Sequence, residues 1–243
     1  MFRLDSRANL LDRITRRFLC CKPTYLSRLY EESFLVWQDY SNTCYTTQVP
    51  RSQFDAKFFK RFYSTTPMHS RRKIETLATA VHEYCRWWDI PVRSVLDIGA
   101  GVGYWSDWYR KNHKNSKVLS VDISKHACQK YGHELRDISE WAPSRKFDLV
   151  ICQSVLQYLN DRAARRAIKN IAKATGHVLF FEVPTKADLR HNVDRNVTDF
   201  EIYARSGEWY RNELKKFFRQ AGAGLWIAKN STIVLYELEG TNS

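Results

Sequence analysis

The chain has 243 residues, 44% of them apolar and 27% charged, with a formal net charge of +13. That length and apolar content suffice for one sizeable core and exclude disorder of the whole. No run approaches the ~18 uncharged apolar residues of a membrane-spanning helix, and the basic excess is spread along the chain with no tail to serve as a nucleic-acid arm.

Residues 1 to 65 are aromatic-rich, broken by Pro23 and Pro50, and read as a helical appendage. The opening MFRLDSRANLLDRITRRFLCCK is basic and amphipathic like an organelle presequence, but Asp5 and Asp12 favour an ordinary helix. Cys20, Cys21, Cys44, Cys85, Cys128 and Cys152 show no ligand-like spacing and no signal peptide precedes them, which fits idle thiols in a reducing cytosol and no metal site. A helix over 71–87 places Ile74, Leu77, Val81 and Cys85 on one stripe and leads into the first strand.

From residue 94 short apolar runs alternate with amphipathic stretches, the pattern of a parallel sheet covered by helices. Strands are expected at SVLDI, KVLSVDI, HELRDI, FDLVIC, HVLFFEV, GLWIA and TIVLYELE, with helices at YWSDWYRKNH, KHACQKY, DRAARRAIKNIAKA and EWYRNELKKFFRQA. Lys229, Asn230 and Ser231 are too few to hold a crossover helix, so the last two runs are expected to pair antiparallel. The expected fold class is α/β: a doubly wound, mostly parallel seven-stranded sheet with an antiparallel last strand, plus an N-terminal helical extension over 1–70.

In such sheets ligands sit beyond the carboxyl ends of the strands. The first strand ends in VLDIGAGVG, where Asp97 precedes glycines at 99, 101 and 103. Such a cluster marks a tight turn or a ligand pressed on bare backbone, and the helix starting near Tyr104 offers free amides to an anion. Asp122, after the second strand, suits a ribose diol or a cap on the helix starting near Ser124. Asp137, after the third, suits an adenine amino group beside the Ile138 amide, or is a plain turn acid like Glu140. A dinucleotide motif would need glycine at position 104, where Tyr104 stands.

Together the GxGxG spacing, Asp122 and Asp137 resemble the class I S-adenosylmethionine-dependent methyltransferases of small-molecule type, over about residues 71 to 243. The resemblance implies a Rossmann-like sheet with a reversed final strand over 71–243, and residues 1–70 as extension or lid. S-adenosylmethionine is the cofactor it implies, held by Asp97, Gly99, Ala100, Gly101, Gly103, Tyr104, Asp122, Ile123, Asp137, Ile138 and Gln153. The glycine loop then meets the methionine portion, Asp122 the ribose, and Asp137 with Ile138 the adenine. FDLVICQSVLQYL resembles the segment lining the methyl-transfer end, with Gln157 or Tyr158 toward the acceptor. Phe62, Tyr63 and His69 are expected in the lid, Tyr63 also against substrate.

An in-line displacement gains most from holding the nucleophile in place, an effect on the order of 7 kcal/mol. An amine or thiol needs only to arrive deprotonated, whereas a hydroxyl profits from a base. Glu182 in FFEVPT, His191 and Tyr158 are the candidate catalytic residues. Arg205, Trp209 and Tyr210 are candidates for the acceptor pocket, the arginine for an acidic group, with Trp209 equally suited to the core. The segment after the fourth strand lacks an Asn/Asp-Pro-Pro-aromatic signature and a Pro-Cys nucleophile. Arg162, Arg165, Arg166, Lys169 and Lys173 form a solvated helix face or, alternatively, an RNA surface. The expected function is a cytoplasmic methyltransferase acting on a small-molecule acceptor, an anionic one included. RNA or protein methylation and a catalytically silent cofactor-binding module are the alternatives.

Overall fold

A computed structural model describes residues 53–65 and 70–237, which fall within one compact unit, Thr47–Ser243. Asp55 opens α1 (Ala56–Phe59) by accepting from the Lys57 and Phe58 amides, and the helix continues as a π-helical segment, Lys60–Thr65. Helix α2 (Arg71–Trp87) is capped by Ser70 and buries Ile74, Ala78, Val81 and Cys85. Ala78 joins the expected stripe, and Leu77, partly buried, packs against the same cluster, because all five positions share one helix face.

Strand β1 (Ser94–Ile98) leads through the glycine loop to α3 (Tyr104–Asn112), β2 (Lys117–Asp122), α4 (Lys125–Tyr131) and the short β3 (Glu134–Leu135). There follow β4 (Phe147–Gln153), a 3-10 turn (Leu156–Tyr158), α5 (Asp161–Ala174), β5 (Thr175–Glu182), α6 (Lys186–His191) and α7 (Gly207–Leu214). The chain then makes β6 (Phe218–Gly222) and β7 (Leu225–Ala228). One seven-stranded sheet runs in the order β3-β2-β1-β4-β5-β7-β6, parallel through β5, with β7 antiparallel to both its neighbours. This is the expected doubly wound α/β sheet; of the expected helical extension over 1–70, residues 1–52 and 66–69 lie outside the described residues.

The central strands are apolar throughout because both faces are covered. α5 and α7 pack on one side with Ile168, Ile171 and Leu214; α2 and α3 pack on the other with Val81, Trp105 and Tyr109. Asp148 pins the start of β1 to β4, accepting from the Arg93 amide (2.9 Å), the Ser94 amide (2.8 Å) and the Ser94 hydroxyl (2.9 Å). Cys85, Cys128 and Cys152 are unpaired thiols. Among the described residues no helix is long and apolar enough to cross a membrane.

Three expected elements are corrected. TIVLYELE forms no strand over its described part, 232–237, and the sixth strand arises instead from FRQAG, which the helical reading of 208–221 had absorbed. The hairpin therefore turns at Ala223 and Gly224, both with positive φ, as a two-residue hairpin turn requires. Gly224 tolerates no side chain, since a Cβ there would lie 2.9 Å from the Phe180 ring. With β5 on one edge of β7 and β6 on the other, no edge beside GLWIA remains for TIVLYELE. HELRDI also shrinks to the two residues of β3.

Candidate active site

The loop between β1 and α3 has positive φ at Gly99 (64°), Gly101 (58°) and Gly103 (80°). The close approach is tightest at Gly99, where a Cβ would stand 2.4 Å from Val155 Cγ2. A buried network holds the loop from beneath. His133 Nε2 meets the Gly101 carbonyl at 3.1 Å and Nδ1 meets the Ser120 hydroxyl at 2.9 Å. A carbonyl only accepts, so Nε2 carries the proton; burial lowers the pKa of this histidine and favours the neutral ring. Arg110 donates to the same Ser120 hydroxyl at 3.0 Å. His133 was not singled out from sequence, where it only begins an expected strand.

Two buried carboxylates flank the loop. Asp122 Oδ2 accepts from the Gly101 amide (2.8 Å) and Oδ1 from the Ser124 amide (2.7 Å). It is not the cap of α4: the Ser124 hydroxyl takes that role by accepting from the Ala127 amide. Asp97 Oδ2 accepts from the Ser106 amide in the first turn of α3, at 3.2 Å.

Burial pushes the Asp97 carboxyl from the ordinary 3.8 up to about 7, opposed by the Ser106 bond and reinforced by the charge of Asp122. The native state therefore holds this proton more tightly than the unfolded chain. Stability from this group is full below the unfolded pKa and is lost as pH rises through about 7. Relative to Asp97→Asn, the ligand-free wild type is expected to lose thermal stability between ~pH 4 and ~pH 8. Parallel unfolding midpoints for the two proteins across that range would discard the assignment.

These groups meet in a mostly apolar cleft at the carboxyl ends of β1, β2 and β4. Asp97, Gly99, Ala100, Gly101, Tyr104, Asp122, Ile123 and Gln153 all line it, as do Tyr63, Gln157 and Tyr158. Gln153 is fixed from both ends: its Oε1 accepts from the Trp105 indole at 2.8 Å and its Nε2 donates to Glu182 at 3.4 Å. The aromatic segment before α2 forms the cover. Phe59 stacks on Tyr63 at 5.5 Å, and the Tyr63 hydroxyl comes down on Gly101, 3.4 Å from where a Cβ would be. Burial, with Asp122, Tyr104 and Asp97 adding, raises the Tyr63 phenol pKa and keeps it a donor. His69 lies outside the described residues.

Several expected site residues do not line the cleft. Gly103 sits behind it as the N-cap of α3. Asp137 Oδ1 accepts from the Ser139 amide at 2.9 Å and Ile138 is buried in the core, and neither is among the lining residues. Glu182 is exposed at the end of β5 beside Gln153, and His191 is exposed at the end of α6. Arg205 points into the protein. Its guanidinium donates to Asp161 (2.7 Å), the Leu156 carbonyl (3.1 Å), the Tyr210 hydroxyl (3.1 Å) and the Leu159 carbonyl. Trp209 packs against this group, 4.7 Å from ring centroid to guanidinium, and against the core. The acidic-acceptor role read for Arg205 is therefore corrected to an internal clamp.

The cleft also contains residues that sequence reading left unmarked: Phe54, Phe58, Phe59, Trp105 and Asp199. The aromatic density of DAKFF was a usable signal for the phenylalanines. Asp199, in a stretch without regular structure, offered none.

Residues 68–226 match the model of the family described as a methyltransferase domain. The chain belongs to that family. This methyltransferase-family chain is 27% identical over 123 residues to malonyl-[acyl-carrier protein] O-methyltransferase 2 of Ilyobacter polytropus, covering 45% of this chain and 48% of that protein. It is 25% identical over 142 residues to a trans-aconitate 2-methyltransferase of an Acidovorax species, covering 56% and 51%. The chain thus spans about half the length of these curated relatives. A solved structure from Pyrococcus horikoshii shares the fold at a TM-score of 0.53 and 16% identity, over 72% of this chain and 97% of that one.

Proposed function

We propose that the chain transfers the methyl group of S-adenosylmethionine to a small-molecule acceptor, with the aromatic segment 53–65 as its lid. The observation that carries this reading is the Asp122 carboxylate. It is buried and lines the cleft, and its oxygens accept the Gly101 and Ser124 amides, with the Ile123 amide also favouring its charged form. An ionised carboxylate only accepts, at about four lone-pair sites, so it keeps acceptor capacity for the neighbouring hydroxyls of a ribose diol. The fit extends along the cleft. The bare backbone from Gly99 to Gly101 and the N-terminus of α3 suit a carboxylate-bearing tail, and Ile123 offers an apolar face beside the sugar.

The cofactor, when bound, supplies a methyl group activated by its sulfonium. The chain's own contribution is alignment and exclusion of water, through the Phe59, Phe62 and Tyr63 cover and the fixed amide of Gln153. Tyr158 acts as a hydrogen-bond donor: burial and the neighbouring Asp199 raise its pKa well above the ordinary value, so it is protonated at neutral pH. Acid names in the two curated relatives support a small acceptor for this chain without specifying one. On α5, Arg165 pairs with Glu213 at 3.1 Å and Arg166 donates to the Ser139 carbonyl at 3.2 Å, which favours the solvated-face reading over an RNA surface.

The test is calorimetry with S-adenosylhomocysteine, followed by incubation with labelled S-adenosylmethionine and separated metabolite, RNA and protein fractions. Binding and label in the metabolite fraction are the expected results. Label confined to RNA or protein would replace the acceptor class, and no binding of S-adenosylhomocysteine would overturn the reading.

A further inference from the structure

The end of the cleft beyond Gln153 has a chemistry of its own. Gln157 is 4% exposed, and its side-chain Oε1 is buried without a hydrogen-bond partner among the described residues. A buried carbonyl left unpaired costs about 1–3 kcal/mol, so this oxygen calls for a ligand donor. Asp199 lies on the same wall. Its Oδ1 accepts from the Glu201 amide at 3.0 Å, its Oδ2 meets Gln53 Nε2 at 3.5 Å, the Tyr158 hydroxyl donates to it, and no lysine or arginine among the described residues forms an ion pair with it.

Three aromatic rings close the same end. Phe54 meets Tyr158 edge-on with centroids 4.9 Å apart, Phe58 meets Phe54 at 5.1 Å, and Phe58 meets Tyr158 at 6.4 Å. Ring faces beside a carboxylate and a spare carbonyl attract N–H donors and positive charge. Despite the chain's net charge of +13, no lysine, arginine or histidine is among the described residues lining the cleft. Among the described lining residues an anionic acceptor meets no cation, and Arg205 is spent elsewhere.

We infer that the acceptor is an amine, received between the Phe54, Phe58 and Tyr158 rings with its N–H groups toward Gln157 Oε1 and the Asp199 carboxylate. The inference rests on the methyl-transfer reading above. The balance is simple: the lone pair of a neutral amine forms the new nitrogen–carbon bond, the carbon–sulfur bond breaks, and sulfur keeps its electron pair. Positive charge moves from sulfur to nitrogen, and the methylated ammonium keeps its proton. The aromatic wall and Asp199 stand where that charge develops and stabilise it. No separate base in the cleft is required, consistent with Glu182 and His191 lying outside its lining.

The experiment titrates the full chain, saturated with S-adenosylhomocysteine, with three matched probes: N-methyl-2-phenylethylamine, 3-phenylpropanoate and 3-phenylpropan-1-ol. The amine is expected to bind about tenfold or more tightly than either of the others, and Asp199→Asn to erase that preference while leaving S-adenosylhomocysteine affinity unchanged. An amine that binds no better than the carboxylate or the alcohol, or no binding by any probe, overturns the inference. The wild-type ranking decides whatever the variant's folding, and a preference that survives in a folded Asp199→Asn protein also counts against it. If S-adenosylhomocysteine itself fails to bind, the methyl-transfer reading falls; if it binds and the ranking fails, only the amine does.

Discussion

Asp122→Ala is expected to lower the affinity for S-adenosylhomocysteine by a hundredfold or more. The substitution removes the only side chain proposed to take the ribose hydroxyls, and hydrogen bonds to a charged group contribute about 1.5–3 kcal/mol each. Two of them correspond to roughly a hundredfold in affinity at the lower bound. The loop suffers as well. The Gly101 amide loses its 2.8 Å acceptor and the Ser124 amide its 2.7 Å acceptor, so the backbone that faces the cleft is released from one side while His133 still holds it from the other. Asp122→Asn retains one carbonyl acceptor and is expected to fall between alanine and wild type. Calorimetry on the three proteins measures the series. An alanine variant that stays folded and binds with wild-type affinity would remove Asp122 from the cofactor site.

Arg205→Ala is expected to be the most destabilising single change considered. The guanidinium is 5% exposed and satisfies the carbonyls of Leu156 and Leu159, the hydroxyl of Tyr210 and the carboxylate of Asp161. Removing one partner of such a buried set costs about 3–5 kcal/mol, a large part of the 5–15 kcal/mol that holds an ordinary domain together. Asp161 is more than half exposed, so the loss lies mainly in the stranded carbonyls and in the packing on Trp209. Arg205→Lys is expected to rescue little, because an ammonium cannot reproduce a planar fork with four partners. Urea unfolding provides the measurement, and a cost below about 1 kcal/mol would return Arg205 to the class of ordinary surface charges. The turn that Arg205 clamps carries Gln157 and Tyr158, so a folded variant is expected to weaken acceptor binding more than cofactor binding.

The parts of the cleft legible in the sequence are those whose chemistry is local. Gly99, Gly101 and Gly103 announce backbone that no side chain can cover, and Val155 Cγ2 at 2.4 Å from a would-be Cβ shows why. Asp97 and Asp122 follow strands whose apolar runs are readable because both sheet faces are covered, and a strand end points its last side chains at the site. Tyr63 was within reach for a similar reason: a dense aromatic segment must bury itself against something.

What the sequence determined by itself was the alternation of strands and helices, the glycine loop and the two buried aspartates beside it. Tertiary structure alone decided which run pairs with β7, since TIVLYE carries the strand pattern and FRQA reads as the end of a helix, yet FRQAG took the open edge beside β7. It alone turned Arg205 inward, and it alone brought Asp199, Phe54 and Tyr158 to one wall. Periodicity and turn chemistry are set within a few residues, whereas the partner of a charge or an edge strand is set by chain segments far apart in sequence, whose meeting no local pattern records.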